Sequence, residues 1–467
     1  MLKKEIFREY DIRGIYNETL DDETGYLIGQ SYGSKIQELN GMQVIVGRDN
    51  RVSSPNLHKT VIQGLLSTGI SIIDIGLVST PMLYFARKYL KIPFGIMITA
   101  SHNPKEYNGF KFSFNEIGNT YGEEIQKFYE YTKEGKFKKG IGTIKYINIE
   151  NEYSNYLIKS LNFGQKKIKA VFDPGNGSGS IIIKKVLEKT PIEAIYINDI
   201  SDGTFPNHHP DPSVKANMKM LEDKVKEEKA DIGIALDGDA DRVGVVDKFG
   251  NTIPIDILMA IIYKYLDKNL KYRNALFDVK CSNTLIDELK KLNIKPTMYR
   301  TGASYTNMMM QTGNYDFGGE YSGHLFFKDK FLGFDDGLYA GLRVIEILTN
   351  NITLEQLQQD FNKYYSTDEL FINIKEENKK TIINQIKNYV IKQNYKYIDI
   401  DGIRVEFDNG WALIRSSNTT PRLSLRFEAK TLEQLEQIKE EFMNLLEELK
   451  WKNLYKNLKH SYQEEMY

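Results

Sequence analysis

Three aspartates at alternate positions, Asp237, Asp239 and Asp241, follow the apolar run Ile232-Gly233-Ile234-Ala235-Leu236 and lead into Arg242. The run reads as a buried strand, so the three carboxylates are delivered together at its end. Like charges held that close repel unless something neutralises them. A hard divalent cation would do so, and with carboxylate oxygens alone and neither His nor Cys in the cluster, magnesium is the expected ion. A solvated acidic turn would share the composition, but it would not need the apolar strand before it.

A second constellation, Met97-Ile98-Thr99-Ala100-Ser101-His102-Asn103-Pro104, again sets polar groups directly after an apolar run. Ser101 is its candidate nucleophile. A serine beside a histidine is common and by itself structural. A cation near Ser101, however, would polarise a phosphoryl group carried on that oxygen and offset its charge in transit, as phosphoryl transfer requires. A Ser-His-Asp hydrolase fits less well, because no Gly-x-Ser-x-Gly elbow surrounds Ser101. The acidic loop is also a poor calcium loop: Gly and Glu are wanted at its sixth and twelfth positions, where this chain has Arg242 and Lys248. The Asp-x-Asp-x-Thr/Val pattern of dehalogenase-type phosphatases fails at Asp241, and here the run is mid-chain.

Two further runs offer binding groups. Arg415-Ser416-Ser417-Asn418-Thr419-Thr420-Pro421-Arg422 brings guanidinium forks and hydroxyls into a tight turn, which reads as a phosphate cradle. An Asn-capped turn with surface arginines is the plainer alternative. Gly318-Gly319-Glu320-Tyr321-Ser322-Gly323-His324 spaces a carboxylate, a hydroxyl and an imidazole at alternate positions between glycines, a set suited to sugar hydroxyls. Its alternative is a glycine-rich turn with a satisfied histidine.

These loops need elements to hold them. From about residue 41 short β-branched runs alternate with longer amphipathic ones: Gln43 to Val46, Ser54 to Leu66, Ile70 to Ile75, Pro81 to Leu90 and Phe94 to Ile98. The pattern predicts β-α-β-α-β, a largely parallel sheet with ligands at the strand ends. The theme returns at Lys169 to Gly177 and at Asn274 to Lys280, which gives three related doubly wound α/β units with mixed, mostly parallel sheets. The polar stretch Tyr131 to Lys145 reads as a surface hairpin or linker and marks a boundary near residue 150. The last hundred residues change character: a run at Glu369 to Ile374, a polar helix, two further strand-like runs, and a final helix striped with Leu432, Leu435, Ile438, Phe442, Leu445 and Leu449. They predict a C-terminal α+β domain. The expected domains are 1–150, 151–251, 252–365 and 366–467.

At 467 residues the chain exceeds one ordinary core. Its 41% hydrophobic and 27% charged residues are those of a globular protein. With 62 Lys and Arg against 63 Asp and Glu, no overall field favours nucleic acid or an anionic membrane, so any anion site must be a local cluster. The single cysteine, Cys281, excludes an internal disulfide framework and fits a reducing compartment. The charged N-terminus and the lack of any span-length apolar run predict neither secretion nor membrane insertion. The expected location is the cytoplasm.

Taken in order, Phe7-Arg8-Glu9-Tyr10-Asp11-Ile12-Arg13-Gly14, the Thr-Ala-Ser-His-Asn-Pro run, the Asp-Gly-Asp-Ala-Asp-Arg loop, the Gly-Glu-Tyr-Ser-Gly-His loop and the Arg-Ser-Ser-Asn-Thr-Thr-Pro turn resemble the α-D-phosphohexomutases. The likeness spans nearly the whole chain. Asp278-Val279-Lys280-Cys281, Phe205-Pro206-Asn207-His208-His209-Pro210 and Gly333-Phe334-Asp335-Asp336-Gly337 extend it to the bacterial phosphomannomutase/phosphoglucomutase branch.

The resemblance implies four domains around a central cleft, each lending one loop, and a reversible phosphoryl transfer between C1 and C6 of mannose or glucose phosphates. By analogy Ser101 carries the phosphoryl group. Asp237, Asp239 and Asp241 join a phosphate oxygen in holding magnesium at Ser101, and Glu320, Ser322 and His324 bind sugar hydroxyls. Arg415, Ser417, Asn418 and Thr419 grip the non-reacting phosphate. Arg13, His102, Lys111, Arg242 and Lys280 match positive or proton-moving positions, His324 is a further acid/base candidate, and Tyr10 lies in the substrate-binding N-terminal motif. The implied cofactors are Mg2+, phosphoserine at Ser101 and glucose 1,6-bisphosphate, or mannose 1,6-bisphosphate, as activator and intermediate. Hexose phosphates are the implied partners, with no nucleic acid and no membrane, and relatives suggest a monomer.

The chain departs from the family pattern at Ala303, where His often follows Gly in Thr301-Gly302-Ala303-Ser304, and at Tyr321, where dual-specificity enzymes commonly carry Met and glucosamine mutases Gln. Both bear on substrate preference. Phosphoglucosamine mutase is the alternative within enzymes, and a catalytically silent sugar-phosphate-binding protein the alternative outside them.

Overall fold

The structure, a computed structural model, describes residues 2–417 and 420–449. Its contacts divide the chain into two units, Met1–Leu276 with Gly302–Gln359, and Phe277–Thr301 with Asp360–Tyr467. Each is described by itself.

The first unit begins with a six-stranded sheet in the order Ile12–Ile15, Tyr107–Ser113, Gly95–Ile98, Gln43–Arg48, Ser71–Leu77, Ile144–Tyr146. The three central and outer pairings Gly95–Ile98 to Gln43–Arg48, Gln43–Arg48 to Ser71–Leu77 and Ser71–Leu77 to Ile144–Tyr146 are parallel. The other two are antiparallel. Helices Ser54–Ser67 and Thr80–Tyr89 make the right connections between parallel strands, as the period switch in the sequence predicts. The apolar positions of helix Asp22–Glu38 (Ile28, Tyr32, Ile36) close one core with Val44, Val46, Ile96 and Ile98 of the strands. That burial fixes which face each strand turns to the core.

One expectation needs correction. Tyr131 to Lys145 is not a hairpin or linker: its start ends helix Glu123–Glu134, and Ile144–Tyr146 adds a parallel strand to the sheet edge. An edge strand buries little: Lys145 and Tyr146 are exposed and only Ile144 packs against the core, which is how the stretch reads as a linker.

A second sheet, ordered Thr252–Ile253, Val243–Asp247, Ile232–Leu236, Ile168–Asp173, Ile192–Tyr196, carries the acidic loop between Ile232–Leu236 and Val243–Asp247. Every residue of Ile232–Leu236 is buried, so the strand is the anchor that its apolar run predicts. Later in this unit Phe317–Gly319 pairs antiparallel with Leu325–Phe327 around the Glu320–His324 loop. Helix Gly337–Thr349 follows, buried along its whole length and capped by the Asp336 carboxylate, which accepts from Tyr339 N–H.

The second unit holds an antiparallel sheet ordered Tyr365–Ser366, Arg422–Ala429, Gly410–Ser416, Ile403–Phe407, Lys396–Ile398, with Leu370–Asn373 also on Arg422–Ala429. Two helices, Glu376–Lys392 and Leu432–Glu448, pack on it through Ile382, Ile386, Ile438 and Phe442. Four strands follow the first helix where two were expected. The sequence hides them because Arg404, Arg415 and Arg426 interrupt the apolar pattern while being themselves buried. Arg404 lies 4.0 Å over the Trp411 ring and donates to the carbonyls of Val279 and Cys281, and Arg426 donates to that of Lys280. In the terminal stripe Leu435, Ile438, Phe442 and Leu445 are buried, whereas Leu432 is exposed.

Candidate active site

Ser101 stands just past strand Gly95–Ile98 with φ +51°, a left-handed backbone that a non-glycine residue holds only under constraint. Its N–H donates to Thr99 Oγ1 (2.9 Å), and its Oγ donates to Asp237 Oδ2 (2.9 Å) and lies 3.2 Å from His102 Nδ1. The two loops can approach this closely because position 238 is glycine: a Cβ there would stand 2.6 Å from the Ser101 carbonyl oxygen.

The three aspartates are fully buried and converge, with one ligand atom from each within 4.8 Å of the others. Asp239 accepts from Thr80 Oγ1 (2.6 Å), Thr99 Oγ1 (3.2 Å) and Lys111 Nζ (2.8 Å), and Lys111 also reaches Asp241 at 2.6 Å. Burial pushes Asp237 well above the ordinary carboxylate range, and repulsion from Asp241 and Asp239 adds to the rise. Burial would also raise Asp239, but the Lys111 ammonium and the Thr80 hydroxyl hold it below that range. Lys111 itself loses from burial and gains more from the two aspartates, so its ammonium is held firmly.

The donor set fits a hard cation. Asp239 Oδ1 and Asp241 Oδ1 are buried oxygens with no hydrogen-bond partner, and they sit in an all-carboxylate cluster. These residues could hold a metal ion.

Arg242 joins the acidic loop to the glycine-rich one. Its Nε donates to His324 Nε2 (2.9 Å), and its guanidinium lies 3.9 Å from both Asp211 and Asp237. Because His324 Nε2 accepts, Nδ1 carries the proton and donates to Asp335 (2.7 Å). Asp241, His324 and Asp335 form a second tight cluster that shares Asp241 with the first. His102 is held well below its ordinary pKa by burial and by the neighbouring Arg242 and Arg13 charges. Arg13, on strand Ile12–Ile15, donates to Asn103 Oδ1 (2.6 Å) and pairs with Asp11.

Ser101, His102, Lys111, the aspartate triplet, Arg242 and His324 thus form one network, with Arg13 beside it on Asn103. Glu320 and Ser322 lie on the loop that leads to His324. Glu320 accepts from the Gly302 N–H (3.1 Å) and Thr306 Oγ1 (2.7 Å), and Ser322 is 3.4 Å from it. The ring of Tyr10 lies against Gly302.

Lys280, Arg415 and Ser417 belong to the second unit. Lys280 pairs with Glu369 (3.3 Å), Arg415 Nε donates to Asp401 (2.9 Å), and Ser417 and Thr420 share a hydroxyl hydrogen bond (2.8 Å). Buried Lys379 donates to the carbonyls of Ser417 (2.8 Å) and Thr420 (2.7 Å). Asn418 and Thr419 lie outside the described residues. The sequence reading missed Thr80, Asp211, Asp335 and Lys379. Of these only Asp335 stood in a quoted motif, and none carries a local signal of its role.

Comparison with known proteins accounts for the arrangement. Models of the phosphoglucomutase/phosphomannomutase alpha/beta/alpha domains I, II and III match residues 4–139, 151–250 and 254–364, and that of the C-terminal domain matches 371–445. A phosphomannomutase/phosphoglucomutase of Pseudomonas syringae pv. tomato is 40% identical over 94% of both chains. A phosphoglucomutase of Neisseria meningitidis is 39% identical over 96% of this chain and 97% of its own. The crystal structure of a phosphoglucomutase/phosphomannomutase family protein from Burkholderia thailandensis superposes with a TM-score of 0.89 at 33% identity, covering 97% of this chain and 99% of that one. Four domains in series, identity at this level over nearly the whole length, and a serine set against a buried carboxylate cluster lead to one conclusion: the chain belongs to the phosphoglucomutase/phosphomannomutase family.

Proposed function

We propose that the protein is an isomerase that moves a phosphoryl group between C1 and C6 of hexose phosphates, interconverting mannose or glucose 1-phosphate and the 6-phosphate. The observation that carries this reading is the Ser101 hydroxyl set 2.9 Å from Asp237 at the edge of a buried aspartate triplet with unpartnered oxygens.

Ser101, as a phosphoserine, is the phosphoryl donor. The free hydroxyl of the sugar attacks phosphorus, the bond to Ser101 Oγ breaks, and a hexose 1,6-bisphosphate forms. After the bisphosphate turns round, Ser101 Oγ attacks its other phosphoryl group and the second product leaves. Asp237, Asp239 and Asp241, with an oxygen of the phosphoryl group on Ser101, would hold magnesium, whose charge offsets that of the group in transfer. Lys111 and Arg242 flank the same oxygens with fixed positive charge. His324, its Nδ1–H tied to Asp335, is read as the acid/base group: Nε2, bonded to Arg242 Nε in this structure, takes the proton of the attacking hydroxyl once Arg242 turns to the phosphoryl group. His102 is held neutral beside Oγ, so it adds no charge there. Glu320 and Ser322 are read as sugar-hydroxyl ligands with Tyr10 beside them, and Lys280, Arg415, Ser417, Asn418 and Thr419 as the grip on the other phosphate. Glucose or mannose 1,6-bisphosphate primes Ser101.

The domain limits that go with this reading are 1–150, 151–251, 252–365 and 366–467. Among the described residues no helix is long and apolar enough to cross a membrane. The lone buried Cys281 goes with a reducing, cytoplasmic location, and a monomer is carried over as what the family resemblance implies.

The test supplies purified protein with magnesium, a trace of glucose 1,6-bisphosphate and either mannose 1-phosphate or glucose 1-phosphate. Formation of the 6-phosphates is expected. Inactivity on both with activity on glucosamine 6-phosphate would replace this reading by the glucosamine mutase.

A further inference from the structure

Arg51, in the loop after strand Gln43–Arg48, is wholly buried, yet it touches neither the carboxylate triplet nor any group assigned above to substrate. Its guanidinium donates to four carbonyls of one short stretch. Nη2 reaches those of Ser101 (2.7 Å) and Asn103 (2.6 Å), and Nη1 those of Pro104 (2.6 Å) and Tyr107 (3.1 Å). Asp49 stands 3.2 Å from its Nε, and the Phe205 ring lies 5.2 Å beneath it.

We infer that Arg51 is the positioning residue of the phosphoryl-carrying loop: its fork gathers the carbonyls of 101–107 and holds Ser101 in the left-handed turn that presents Oγ to Asp237. The inference rests on Ser101 being the carrier.

Three features support it. Ser101 is held at both backbone ends, its N–H by Thr99 and its C=O by Arg51, and a left-handed serine persists only when its surroundings over-determine it. A phosphoserine carries a charge of about −1.5 to −2 at neutral pH. Carbonyl dipoles free to swing toward it would raise its energy, whereas those bonded to Arg51 cannot, and across a planar trans peptide the N–H of His102 points away from Arg51. Finally, spanning four acceptors takes a planar fork. A lysine ammonium is a point donor and cannot reproduce the span.

Arg51→Lys keeps the charge and the stem and removes the fork. Four quantities are measured on it and on the wild-type protein: kcat and KM, phosphoryl uptake from glucose 1,6-bisphosphate mapped to Ser101 by mass spectrometry, hydrogen exchange of peptides covering 99–108, and the thermal transition. The expected result is a fall in kcat of about a hundredfold with KM little changed, as for a misplaced reacting group. Uptake at Ser101 should slow in parallel, and exchange should speed up in 99–108 alone. Wild-type kcat and uptake in the variant would overturn the inference, as would faster exchange spread evenly over the whole unit, which marks a merely structural arginine. Should Arg51→Lys not fold, Phe205→Leu removes only the ring under the guanidinium. It should slow kcat and uptake by about three- to tenfold, and wild-type values there would equally overturn the inference. No uptake at Ser101 in the wild-type protein would instead remove the carrier reading, and this inference with it.

Discussion

The loop that carries Ser101 and the turn that begins at Ser417 both have carbonyls drawn back by a buried cation, Arg51 in the first unit and Lys379 in the second. Beyond that they differ in how fully the neighbouring residues are enclosed. Around Ser101 the N–H, the carbonyl and the hydroxyl each have a fixed partner, and the residue is 2% exposed. In the turn the N–H, the carbonyl and the hydroxyl of Ser417 are likewise partnered, by the Arg422 carbonyl, Lys379 and Thr420, but Ser417 is 9% exposed and Thr420 and Arg422 are half-buried. A reacting oxygen must be fixed to within a fraction of an ångström, because a misplacement of about 1 Å can cost a hundredfold in rate. A gripping turn needs donors that can exchange one acceptor for another. Under the proposed phosphate grip, the Ser417–Thr420 hydrogen bond would be such a reserve.

The contrast can be broken in several ways. Ser101→Ala should abolish turnover outright, since the other hydroxyls at the triplet, Thr80 and Thr99, are committed as donors to Asp239; residual wild-type-like rates in the coupled assay would sink the carrier role. Next in size, Asp239→Asn should weaken magnesium binding by at least about tenfold in calorimetric titration, and an unchanged isotherm would take Asp239 out of the site. On the gripping side, Lys379→Met should raise KM about tenfold with kcat nearly unchanged, the cost of a charged hydrogen bond of about 1.5 kcal/mol. A matching loss in kcat would erase the distinction between the two loops.

The smallest effect is on stability against pH, and it has opposite signs in the two units. Burial raises Asp336 in the first unit from its ordinary 3.8 to about 7, so the folded state favours the protonated acid. Stability from that group is complete below pH 3.8 and is lost as pH rises to about 7. Burial would raise Glu369 in the second unit too, but Lys280 and Arg415 bring it down from 4.5 to about 2, so its contribution is present above pH 4.5 and is lost on acidification. Asp336→Asn keeps an oxygen to accept from Tyr339 N–H and lets its amide N–H donate to the Tyr153 hydroxyl oxygen, and it should flatten the first slope alone in thermal scans between pH 4 and 7. An unchanged slope would show that the carboxyl is not held protonated.

Much of this was legible in the residue string. The alternation from Gln43 to Ile98 gave the strands and helices of the first sheet, and the rule that loops follow buried strands led to Ser101 and the aspartates. What stayed hidden acts over long sequence distances. Thr80 reaches Asp239 across 159 residues, and Arg51 reaches Ser101 across 50. No local periodicity encodes a side chain whose partner is a distant backbone oxygen. The C-terminal strands were undercounted for a related reason: Arg404 and Arg426 look like surface residues until their acceptors, the carbonyls of 279–281, are known.

Those acceptors bear on how the chain assembles. The second unit is built from two separate stretches, 277–301 and 360 onward, so its fold closes over an insertion of 58 residues belonging to the first unit. A fragment starting near residue 360 would expose Trp411 and leave the buried guanidinium groups of Arg404 and Arg426 without their carbonyls, at a cost of roughly 1–3 kcal/mol for each unmet group. The C-terminal unit therefore completes its core only with chain from outside the last hundred residues. The segment it needs, 277–301, is made first, and the long-range closure ties the unit's folding rate to the ordering of the chain between.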